Sequence, residues 1–229
     1  MKQIIIFGLA VSLLFCACGR DDTSAEPSPS LTAEQIIERC SEEVAALQSF
    51  HFELDQEGGG TPIAMGLEMD AASGDMLKPD KLNIEVSAGF IQVELITVGD
   101  ITYMTNPLNG NWEPLPNNLT AVRLFDPNIG IKVVVSGITN ATVLGEEKVG
   151  GALCYYVRGV IDSGELSAIS CGAAIEGITI DTDIWISKKD FLPRKFRFEG
   201  QITKNEEIGI VRILTVSEFN EPVTIELPE

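Results

Sequence analysis

Ser49-Phe50-His51-Phe52-Glu53-Leu54-Asp55 is the stretch that decides the fold. Phe50, Phe52 and Leu54 alternate with His51, Glu53 and Asp55, and a period of two is that of a half-buried β-strand. Just before it the period is helical. Ile36, Cys40, Val44 and Leu47 fall on one stripe at i, i+4, i+8 and i+11, while Glu34, Glu38, Glu42 and Glu43 fill the other side. Thr32-Ala33-Glu34-Gln35 has the form of a capping box. The spacing thus predicts one amphipathic helix over residues 32–48, laid on a core that the following strands must supply.

The strands continue downstream. Gly58-Gly59-Gly60 turns the chain, and Ile63, Met65, Leu67 and Met69 resume the alternation. Residues 71–81, with a Gly and a Pro, read as a loop. Leu82, Ile84, Val86 and Ala88 form the next strand, followed by residues 90–98 and a Gly99-Asp100 turn into Ile101-Thr102-Tyr103. Short strands joined by local turns predict an antiparallel meander. Asp126-Pro127 is a helix start, and Ile129, Ile131, Val134, Val135 and Ile138 make the short helix apolar. Strands resume at residues 141–144 and 153–160, around a Gly150-Gly151 turn; residues 162–172 suit a further short helix. Ile178, Ile180, Ile184 and Ile186 alternate with Thr179, Asp181, Asp183 and Trp185, and strands at Phe196/Phe198, 208–216 and 223–227 follow. About ten to eleven strands and two or three helices result. Many joined strands twist and curl, so the predicted fold is α+β: a curved, unclosed antiparallel half-barrel with helices over its concave face.

Lys2 followed by twelve uncharged residues, 4–15, describes an export signal. It is too short to span a ~30 Å hydrocarbon core, which needs about 20 residues. Phe15-Cys16-Ala17-Cys18-Gly19 resembles a bacterial lipobox, with Ala17 in the small position before Cys18. The expected division is a signal peptide over 1–17, a lipidated Cys18 with a flexible linker over 18–30, and one folded domain over 31–229. The linker, GRDDTSAEPSPS at residues 19–30, lacks large apolar side chains. Diacylglycerol and palmitate chains on Cys18 would hold the domain on the extracytoplasmic face of the cell membrane, since two or more chains anchor stably. That anchor answers a charge problem. With 34 acidic and 16 basic residues the net charge is −18, which opposes adsorption to an anionic bilayer and excludes nucleic-acid binding.

The 229 residues are 45% apolar and 22% charged, enough to bury a core. Cys40, Cys154 and Cys171 would remain in the exported domain, where a disulfide is permitted. Cys154 with Cys171 is the preferred pair because it closes a modest loop; the other pairings, and none at all, stay open. Chemistry finds little footing. No G-x-S-x-G, P-loop, G-x-G-x-x-G, H-E-x-x-H or C-x-x-C occurs, and His51 is the single histidine. Asp181 and Asp183 share a strand face and read as solvated carboxylates. His51 points away from the apolar side, and Trp112 reads as a turn anchor or a membrane contact. No catalytic residue, metal or cofactor is expected.

Taken in order, several segments resemble the LppX/LprAFG lipoproteins. They are Leu47-Gln48-Ser49-Phe50-His51-Phe52, Val98-Gly99-Asp100-Ile101-Thr102-Tyr103 with Pro107, Gly110 and Trp112, and Phe125-Asp126-Pro127 with Gly130-Ile131. Asp183-Ile184-Trp185-Ile186, Leu192-Pro193 and Phe219-Asn220-Glu221-Pro222-Val223 complete the set. The resemblance spans about residues 31–229 and implies a half-barrel similar to the LolA/LolB carriers. It further implies a cavity between sheet and helices that takes up the acyl chains of a lipid or glycolipid for carriage across the envelope. The expected cavity liners are Phe52, Met65, Leu67, Ile84, Val86 and Val93 on the sheet, with Val134 and Ile138 on a helix; each fits an ordinary core equally well. A monomer, with a membrane transporter as a partner, is expected. The competing expectation is a non-enzymatic surface interaction module with a filled core.

Overall fold

The computed structural model describes residues 31–62, 68–115, 130–170, 174–204 and 206–228. Helix α1 (Ala33–Ala46) starts at the predicted capping box. The Thr32 hydroxyl accepts from the Gln35 N–H at 3.3 Å, and the Gln35 side chain accepts from the Thr32 N–H at 3.0 Å. Its buried stripe is Ala33, Ile36, Ile37, Cys40 and Val44. The chain leaves the helix at Leu47 and enters strand β1 (Ser49–Glu57), where Phe50, Phe52 and Leu54 are buried.

β1 is the pivot of the sheet. On one side it pairs with β4 (Ala71–Leu77), which continues through β5 (Lys81–Ala88), β6 (Ile91–Val98) and β7 (Ile101–Thr105) to the edge strand β8 (Trp112–Pro114). On its other side it pairs with β13 (Val211–Ser217). That strand leads back through β12 (Pro193–Glu199), β11 (Thr179–Ser187) and β10 (Ala152–Asp162) to the edge strand β9 (Thr139–Val149). The result is an 11-stranded antiparallel sheet that does not close on itself. A two-stranded piece, β2 (Thr61–Pro62) with β3 (Glu68–Met69), sits between β1 and β4 in the chain. One face of the sheet carries α1, a second helix α2 (Ile131–Gly137) and a 3-10 helix (Ser163–Ser170). The Ser41 and Ser136 hydroxyls join α1 to α2 at 2.8 Å. No helix among the described residues is long and apolar enough to cross a membrane.

Four expectations need correction. Residues 71–77 are a strand, not a loop. Gly74 looks like a loop residue, but it lies between Phe52 and Ile84, where an added Cβ would stand 2.1 Å from the Asn83 carbonyl oxygen. Residues 223–227 form no strand; that segment is tied instead by the Lys81 ammonium, which donates to the Ile225 carbonyl at 3.0 Å. The last strand begins at Val211, so Ile208 belongs to the preceding link. Phe90 likewise belongs to the β5–β6 turn and not to a strand. Met65, Leu67 and the Asp126-Pro127 helix start lie outside the described residues.

Candidate functional site

Strand parity aims Phe52, Leu54, Leu82, Ile84, Leu214 and Val216 at the helix-covered face, and the coverage of that face is uneven. Under the helices it is sealed. Phe52, Ile84, Val134 and Ile138 are all buried in one cluster with Ile36, Val44, Val157 and Ile184. Beyond β5 the cover given by the described helices thins. Val86 and Leu95 are half-buried against the edge of that cluster, and Val93 and Met104 are half-buried too. Registers Val86↔Val93 and Leu95↔Met104 put these four on the same inner face, side by side. Of the expected liners, the structure thus brings Phe52, Ile84, Val134 and Ile138 together as packed core. It leaves Val86 and Val93 partly open.

A polar knot lies at one end of this apolar face. Arg212 follows the same parity as Leu214 and Val216, so its side chain points inward and is wholly buried. Its guanidinium pairs with Glu206, which is equally buried, and donates to the Thr61 hydroxyl at 3.1 and 3.2 Å and to the Gly200 carbonyl at 3.5 Å. The Glu206 carboxylate also accepts from the Ile202 N–H and from the Thr203 hydroxyl. Burial pulls the Arg212 pKa down, and Glu206 opposes that pull. Nothing in the sequence reading singled out Arg212. The available signal was an arginine two residues before an inward leucine.

The outer face is less solvated than expected. Asp183 is buried, held by Arg158 at 2.7 and 3.1 Å, while Asp181 is exposed as predicted. Tyr156 stacks on Trp185 at 4.9 Å with rings 2° from parallel, and Lys195 lies over the other side of the indole. This ladder covers Asp183. His51 faces outward as predicted, and its Nδ1 hydrogen-bonds to Asp75 at 2.8 Å. Together with Glu218 they place three ligand-type atoms within 4.8 Å of one another.

Cys40 and Cys154 are buried free thiols, and Cys171 lies outside the described residues. Burial pushes both thiols up from the ordinary range. Clefts of about 440 and 590 Å³ open at the rim formed by the β9–β10 and β11–β12 turns. Asp190 and Arg194 line both; the first cleft also reaches Val216, and neither touches Val86, Val93, Leu95 or Met104. Burial alone would raise the Asp190 pKa. Hydrogen bonds from the Leu192 N–H, the Ser187 side chain and Arg194 outweigh burial and hold it low.

Comparison with known proteins agrees with this architecture. LprF of Mycobacterium bovis and of Mycobacterium tuberculosis, named provisionally as a diacylated glycolipid transporter, is 22% identical over 98% of this chain and 90% of its own length. The crystal structure of LprF from M. bovis superposes with a TM-score of 0.67 at 18% identity, covering 86% of this chain and 96% of that one. That of the M. tuberculosis lipoprotein LppX gives 0.61 at 19% identity, covering 83% and 96%. The sequence profile of the LppX_LprAFG lipoproteins matches residues 32–225, most of the chain. On that match, and with an unclosed 11-stranded sheet under two helices, the chain belongs to the LppX_LprAFG lipoprotein family.

Proposed function

We propose that this chain is a membrane-anchored lipoprotein that takes up the acyl chains of a lipid or glycolipid on the inner face of its sheet and carries or presents them across the envelope. One observation carries the reading: the inner face stays apolar past β5 while, among the described residues, its helical cover thins, with Val86, Val93, Leu95 and Met104 half-buried. Such a surface costs free energy in water, about 25 cal/mol for each Å² of apolar area left wet. A hydrocarbon chain laid along it removes that cost and relieves its own, about 0.8 kcal/mol for each CH₂. Cys18 supplies the anchor and residues 19–30 the tether. The role of the LprF relatives supports the same ligand class. No bond is made or broken in such a carrier, so the domain needs no catalytic group.

The full burial of Phe52, Ile84, Val134 and Ile138 favours a second reading, an interaction module whose core is filled by its own side chains. Mass spectrometry of organic extracts from protein expressed in its own host separates the two. A two-chain lipid recovered near one per protein supports carriage. Repeated extracts with no stoichiometric lipid would replace it with the interaction module.

A further inference from the structure

Three large apolar side chains stand almost entirely in water: Phe90 at 100% exposure, Leu108 at 93% and Ile208 at 91%. They are far apart in sequence, yet antiparallel parity brings them to one rim of the sheet. Phe90 tips the β5–β6 turn beside Gly89, whose φ of 61° makes that turn possible. Leu108 tips the β7–β8 link and Ile208 the β12–β13 link. The registers fix the common level, since Ala71 pairs with Ser87 next to the Phe90 turn and with Asp55 on β1, and Glu57 and Glu199 both pair with Val211. The turns of the opposite rim carry Asp80, Asp100, Lys188 and Lys189 instead.

Two of these tips are built rather than loose. The Leu108 N–H donates to the Asn106 side chain at 2.9 Å, the Gly110 N–H donates to the Asn106 carbonyl at 2.8 Å, and the Asn106 amide donates to Glu113 at 2.8 Å. The Ile208 link is held from beneath by the buried Arg212–Glu206 pair and by Gln201, whose amide donates to the Thr203 carbonyl at 3.1 Å. A fold that fixes a turn and then gives its tip a leucine or isoleucine presents that side chain to something.

We infer that this rim is the membrane-docking edge of the protein, with Phe90, Leu108 and Ile208 inserting as separate points into a zwitterionic bilayer. Adjacent strands lie about 4.8 Å apart, which spaces the tips by roughly 10 and 20 Å along the rim. A folded protein partner would need a continuous, complementary patch of about 800 Å². A bilayer accepts separated points because it is fluid and needs no shape match. The flanking carboxylates Asp70 and Glu207 repel anionic headgroups, so zwitterionic lipid is the better partner. The rim is also the end at which the Arg212 knot meets the inner face. Docking there sets one end of the proposed acyl-chain surface against the donor or acceptor leaflet, a consequence that rests on the carrier reading; the docking itself does not.

The test uses the full lipidated protein in phosphatidylcholine vesicles whose acyl chains are brominated, with tryptophan as the depth probe. After subtraction of the Trp112 and Trp185 background, Phe90→Trp is expected to lose at least half its emission relative to unbrominated vesicles. Ile101→Trp, on the opposite rim, is expected to keep its own. Absence of quenching for Phe90→Trp, or equal quenching of both probes, overturns the docking edge. A triple Phe90→Ser/Leu108→Ser/Ile208→Ser variant is expected to retain co-purifying lipid but exchange it with vesicles at least about tenfold more slowly. Unchanged exchange also overturns the proposal. If wild-type protein carries no lipid yet the Phe90→Trp probe is quenched, the carrier reading fails and the docking edge stands.

Discussion

Glu206→Ala is the most exacting perturbation of this fold. The wild-type pair is wholly buried on both sides. Without Glu206, the Arg212 charge keeps, among the described residues, the Thr61 hydroxyl and the Gly200 carbonyl as acceptors. Removing one partner of a buried pair costs about 3–5 kcal/mol, because the remaining charge cannot return to water. The upper end applies here, since the Ile202 N–H and the Thr203 hydroxyl lose their acceptor together. Domains of this kind hold about 5–15 kcal/mol in total, so the variant should unfold at much lower urea. The double variant Glu206→Leu/Arg212→Met removes the buried charge itself and should recover at least about 2 kcal/mol of that loss. Urea titration followed by far-UV circular dichroism, extrapolated linearly to water, gives both numbers. A single-variant loss below about 1 kcal/mol, or a double variant no more stable than the single, would refute the view that Arg212 is a desolvated cation dependent on Glu206.

Other consequences are simpler to check. Wild-type protein grown with an alkyne-tagged palmitate should incorporate it and Cys18→Ala should not; equal labelling would remove the proposed anchor. Cys40 should resist alkylation in the folded protein and react on unfolding, because burial both shields the thiol and raises its pKa; rapid native labelling would contradict its placement on the buried face of α1. Asp190 has a lowered pKa, so its contribution is complete above the ordinary carboxylate value of about 3.9 and is lost as pH falls below it towards the folded value. The stability gap between wild type and Asp190→Asn should therefore be constant from pH 5 to 7 and narrow below about pH 4; a gap unchanged down to pH 3 would dissociate Asp190 from its hydrogen bonds.

What the sequence made legible follows periodicity closely. The helix-to-strand switch at Ser49 was plain because Phe50, Phe52 and Leu54 are large and alternate with polar residues, and β11 was plain for the same reason. β4 was hidden because two of its inward positions, Ala72 and Gly74, are small: Gly74 packs between Phe52 and Ile84, which requires smallness there, and smallness imitates a loop. Asp183 was misplaced because alternation tells which face a side chain takes, not what covers that face. The Arg158, Tyr156 and Trp185 ladder is assembled from two strands and has no local signature. The candidate site was legible only as a set of inward positions. Which of them are sealed and which half-open depends on how far α1 and α2 reach across the sheet, a property of tertiary packing that no window of sequence contains.

The central claim is that hydrocarbon lies along the half-covered inner face of β5–β7. A phospholipid with a diazirine at mid-chain, loaded into the protein and photolysed, reports that directly through the peptides it labels. Cross-links concentrated on peptides containing Val86, Val93, Leu95 and Met104 are predicted. Labelling confined to the outer face of the sheet or to the Asp190–Arg194 clefts would contradict the account.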